Sequence, residues 1–68
     1  RVTDEQFRAF LRAEVLEGRM DANAAAMIRP YRPDSWNGLT FAFAARGSIW
    51  VRPELLAFPS FLRMTLVH

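Results

Sequence analysis

Apolar positions recur at helical spacing through the first part of the chain. Phe7, Phe10, Leu11 and Val15 fall on one face at a period of 3.6 residues. Start signals precede them. Thr3 and Gln6 have the spacing of a capping box, and Val2 and Phe7 that of a hydrophobic staple. Asp4 and Glu5 stand in the first turn, where the helix macrodipole favours negative charge. Asp4 is placed to pair with Arg8 at i,i+4. Gly18 supplies the stop. The spacing therefore predicts a helix over residues 4–17. A second helix is expected after Asp21, its N-cap, through the alanine-rich "ANAAAMIR", with Pro30 ending it.

"PYRPDSWNG" carries two prolines and an Asn-Gly turn signal, and is read as a loop. Beyond it the period changes to two. In "LTFAFAA", Leu39, Phe41 and Phe43 point one way and Thr40, Ala42 and Ala44 the other. "ARGS" turns the chain into "SIWVR", a second strand paired antiparallel, and Pro53 ends that strand. Pro59 suits the first turn of a last helix. Phe61, Leu62, Thr65 and Leu66 lie along one of its faces, with Met64 and Val67 widening the apolar surface, which reads as a buried element. The expected fold is α+β: two N-terminal helices, a short antiparallel β-ribbon and a buried C-terminal helix.

At 68 residues the chain makes a single small domain or a piece of one. A chain of this size buries only about 60% of its unfolded surface. It has no cysteine, so disulfides and thiolate metal sites are excluded. It has one histidine, His68, so a zinc site within one copy would need carboxylates as its other ligands. All nine basic residues are arginine, the net charge is only +2, and the arginines are spread along the chain. That pattern disfavours nucleic acid as a partner. No run of 18 apolar residues is present, which excludes a transmembrane helix in this stretch, and no basic-then-apolar leader opens it. The chain begins on Arg1 and stops on an uncapped apolar run. We therefore expect it to be cut from something longer.

Four groups of residues invite a chemical reading. In "RPYRPDSW", Arg29, Tyr31, Arg32 and Trp36 combine the residue types enriched in binding hot spots. The plainer alternative is a solvated loop whose Tyr31 and Trp36 fold back on the core. Glu14 and Glu17 share a helix face at i,i+3, and Glu54 follows the second strand; these read as surface charges rather than acid–base pairs. Ser35, Ser48 and Ser60 have no histidine available except His68, which argues against a serine triad. Six phenylalanines and two tryptophans are hard to bury at once, so Trp50 with Phe58 and Phe61 is expected to mark an interface with a protein partner.

The ending "TLVH", on an apolar helix preceded by the strand "SIWVR" and Pro53, resembles the lead-in to the zincin metallopeptidase motif. The resemblance covers about the last thirty residues and includes one letter of H-E-x-x-H. It implies that Ser48 to Arg52 match the strand edging the cleft and that His68 is the first zinc ligand. The motif's glutamate, a general base, and its second histidine are not in these residues, so the chain as it stands is expected to be inactive. Zinc is expected only in a longer parent chain, and none in the isolated one. The rival expectation is a small non-enzymatic module that binds another protein through an exposed aromatic face.

Overall fold

The computed structural model describes residues 1–35 and 40–67. Helix α1 spans Asp4–Leu16 and starts as its sequence dictates. The Gln6 amide donates to Thr3 Oγ1 at 3.1 Å and the Thr3 amide to Gln6 Oε1 at 2.8 Å, which closes the capping box. It ends where Gly18 takes φ +76° and the Arg19 amide reaches back to the Glu14 carbonyl at 2.9 Å. That left-handed turn is one a residue with a Cβ enters only at a cost.

Helix α2, Ala22–Met27, is capped by Asp21, whose carboxylate accepts from the Asn23 amide at 3.0 Å. It is shorter than the alanine-rich run predicts. Ile28–Pro30 leave it to form strand β1. Proline pushes Arg29 toward extended geometry. The β-branched Ile28, 6% exposed, gains more from the core than a last helical turn would return. Strand β2, Ala42–Ala45, and strand β3, Ser48–Val51, form the expected antiparallel hairpin, with Phe43 opposite Trp50 and Ala42 opposite Val51. Its two turn residues, Arg46 at φ +54° and Gly47 at φ +73°, have the left-handed conformations of a type I′ turn.

The sheet is not purely antiparallel. β1 adds parallel to β3, with Ile28 opposite Ile49 and Arg29 opposite Trp50, giving the order β1-β3-β2. Pro30 is tolerated because β1 is an edge strand. A 3-10 helix, Pro53–Ala57, leads to helix α3, Pro59–Val67. The class is α+β, and every layer feeds one small core: Phe7 and Leu11 of α1, Ile28 of β1, Val51 of β3, Leu55 of the 3-10 helix and Leu62 of α3. The face that β2 shares with buried Val51 carries the small side chains, Ala42 and Ala44, and bulky Phe43 stands on the outer face. α3 is fully buried through Leu62, while Phe61 and Met64 are exposed, because so small a body supports the helix along one side.

Candidate functional site

The outer face of the sheet gathers part of the loop cluster. Arg29 and Trp50 are register partners on the paired strands β1 and β3. The Tyr31 ring meets Phe43 edge-on at 5.0 Å and Trp50 at 6.0 Å. Trp50 Nε1 donates to the Ala45 carbonyl at 3.1 Å, which fixes the indole along the hairpin. Tyr31 is 37% exposed and Phe43 36%, so the aromatic trio packs on itself and still offers apolar surface. The expected grouping of Trp50 with Phe58 and Phe61 is not what forms. Phe61 instead meets Phe41 edge-on at 5.0 Å, and with Phe58 these rings line a separate hollow beside Leu55. The alternation of β3 sends Trp50 to the face opposite buried Val51.

Arg32, assigned by sequence to the same loop cluster, serves the fold. Its guanidinium donates to Asp4 at 2.9 Å and to the Val2 carbonyl at 2.7 Å, and lies 3.7 Å from Glu54. Asp4 is thus paired across the fold and not with Arg8. The loop that follows β1 carries Arg32 over the α1 N-terminus, where one guanidinium serves a carboxylate and a backbone carbonyl together. Trp36 and His68, and the Asn-Gly turn signal, lie outside the described residues.

Glu14 corrects the reading of a surface acid. It is 2% exposed and its two oxygens accept four bonds. Arg19 donates through Nε at 3.1 Å and Nη2 at 2.9 Å; Arg63 donates through Nε at 2.9 Å and Nη2 at 3.2 Å. The Arg19 hydrogen bonds, then those of Arg63, hold its pKa below the ordinary carboxylate value against the opposing effect of burial. Glu17 remains at the surface, 2.8 Å from Arg19. The cluster ties α1 to α3, and Arg63 also lies 5.8 Å over the Phe10 ring. No sequence signal marked Glu14, because its second partner is 49 residues away.

Zinc takes four ligands in near-tetrahedral array. Among the described residues no three His, Cys, Asp or Glu side chains stand together as a metal set. The buried carboxylate is already satisfied by two arginines. β3 lies between β1 and β2, so the open edges of the described sheet belong to its neighbours. The parallel pairing of Ile28–Pro30 takes the edge that the hairpin would have left open.

No helix among the described residues is long and apolar enough to cross a membrane. No protein-family model, no curated protein and no solved structure matches this chain.

Proposed function

We propose that the chain is the lead-in portion of a zincin-like metallopeptidase domain, without peptidase activity in these residues alone. The observation that carries the reading is the succession of β3, one 3-10 helix and α3, which is helical through Val67 and leads into Thr65-Leu66-Val67-His68. In this reading the chain supplies His68 as the first zinc ligand. The structural work of the described residues is to hold α3, through Leu62 in the core and Arg63 on Glu14. The metal, held with ligands beyond His68, would supply an activated water for peptide hydrolysis.

The coding sequence after the codon for His68 tests this directly. Glutamate next, with histidine three residues later, supports the reading; any other continuation sinks it. A chain extended through that motif should bind one equivalent of zinc by elemental analysis and lose it in His68→Ala.

A second reading rests on Tyr31, Phe43 and Trp50: a protein-binding module that uses the half-exposed aromatic face of the sheet. It expects a stable complex, with a partner or with itself, that Phe43→Ser abolishes while circular dichroism stays unchanged. Strictly monomeric sedimentation, together with no change in any complex on Phe43→Ser, argues against it.

A further inference from the structure

The arginines that are scattered in sequence are not scattered in space. Arg8 and Arg12, one turn apart on α1, line one wall of an open groove of about 390 Å³. Arg29 of β1 stands on the other wall. Between them the groove is apolar, with Leu11, Val15 and Ile28 in its lining. No carboxylate among the described residues lines it. The ion pairs among the described residues are made elsewhere: Glu14 and Glu17 with Arg19, Glu14 with Arg63, Asp4 and Glu54 with Arg32. Among the described residues no acid lies within ion-pair distance of Arg8, Arg12 or Arg29. Three arginines thus border apolar surface without a counter-ion from the described residues.

We infer that the α1–β1 groove is a binding site for a free single-chain anionic amphiphile, its alkyl chain along Leu11 and Val15 and its head group held by Arg8, Arg12 and Arg29. Charge complementarity selects the head. A guanidinium fork matches carboxylate and phosphate geometry and is less heavily hydrated than an ammonium group. Size selects a small ligand over a partner helix. A helix with its side chains is about 10–12 Å across, so this opening takes scarcely one turn of it. The same volume sits at the lower end of the range usual for small-molecule pockets, about 300–1,000 Å³. The proposal does not depend on either functional reading.

The test is calorimetric titration of the whole chain, below micelle concentrations, with decanoate, decyl phosphate, decyltrimethylammonium and inorganic phosphate. The expected result is saturable one-to-one binding of at least one of the two decyl anions. The stronger of the two reports whether carboxylate or phosphate is the natural head. The cation and bare phosphate should each bind at least about tenfold more weakly, the equivalent of one charge-assisted hydrogen bond. The double variant Arg8→Gln, Arg12→Gln should weaken the anion by about tenfold or more. Both residues are exposed, and circular dichroism of the variant should be unchanged. Should the variant lose its fold, Val15→Glu, which puts a carboxylate into the groove, provides the same comparison. Equal affinity for the cation, equal affinity for bare phosphate, or no saturation by either decyl anion overturns the proposal.

Discussion

Replacing Glu14 by glutamine tests the central electrostatic feature of the fold. The side chain keeps its shape, so the core is not opened. What changes is the charge and half of the acceptor capacity. Three of the four bonds end on Oε2 and one on Oε1. A glutamine can leave its carbonyl oxygen in one of those places, but its amide then faces a guanidinium donor at the other. Hydrogen bonds to a charged group are worth about 1.5–3 kcal/mol each, against about 0.5–1.5 for neutral ones. The loss must be discounted, because the Arg19 and Arg63 side chains are 40% and 37% exposed and water takes up part of their stranded charge. The expected cost is about 1.5–3 kcal/mol, below the roughly 3–5 kcal/mol that breaking a fully buried pair removes. In a domain of this size that lowers the melting temperature by roughly 6 °C or more. Urea denaturation followed by far-UV circular dichroism measures it, with Arg63→Gln and the double variant completing a cycle. A cost below about 0.5 kcal/mol, or additive single effects, would refute the claim that this cluster couples α1 to α3.

The same carboxylate predicts an acid limb. Its folded pKa lies below the ordinary value of 4.5, so the unfolded chain binds the extra proton as pH falls. Its contribution is therefore complete above about pH 5 and drains away as pH drops through the folded value; urea midpoints should fall below pH 4.5 in the parent and be flatter in Glu14→Gln. At the hairpin turn, Arg46→Asn should raise stability by about 0.5–1 kcal/mol, since a left-handed conformation costs an ordinary residue about 1–2 kcal/mol and asparagine much less; an unchanged or lower melting temperature would argue against the type I′ turn. Leu62→Ala, at a position with no exposure, should cost about 2–5 kcal/mol. A chain of this size has roughly 3–10 kcal/mol in all, so loss of the cooperative thermal transition is the expected result, and a change of only a few degrees would place Leu62 outside the core.

The division between what could and could not be read from the sequence follows the range of the interactions. α1 was legible from end to end, because its cap, its acidic first turn and its glycine stop act over three to five residues. The start of α3 at Pro59 and the hairpin strands were legible for the same reason: proline geometry, helical period and a period of two are local properties. Of the candidate site, the aromatic and arginine residues could be named, but not sorted. Tyr31 and Trp50 come together only because β1 pairs with β3, and Arg32 turns away because Asp4, 28 residues earlier, holds it.

Other features were decided only when distant segments met. Ile28 leaves a helix-favouring run because its partner, Ile49, buries it. Glu14 is a surface acid by its pattern and a buried one in fact, because α3 lays Arg63 across it. Arg8, Arg12 and Arg29 become one positive groove only when β1 lies beside α1. Composition and periodicity determine which segments turn helical or extended; burial, pairing and the gathering of charge depend on contacts across the fold, whose energies no local window contains.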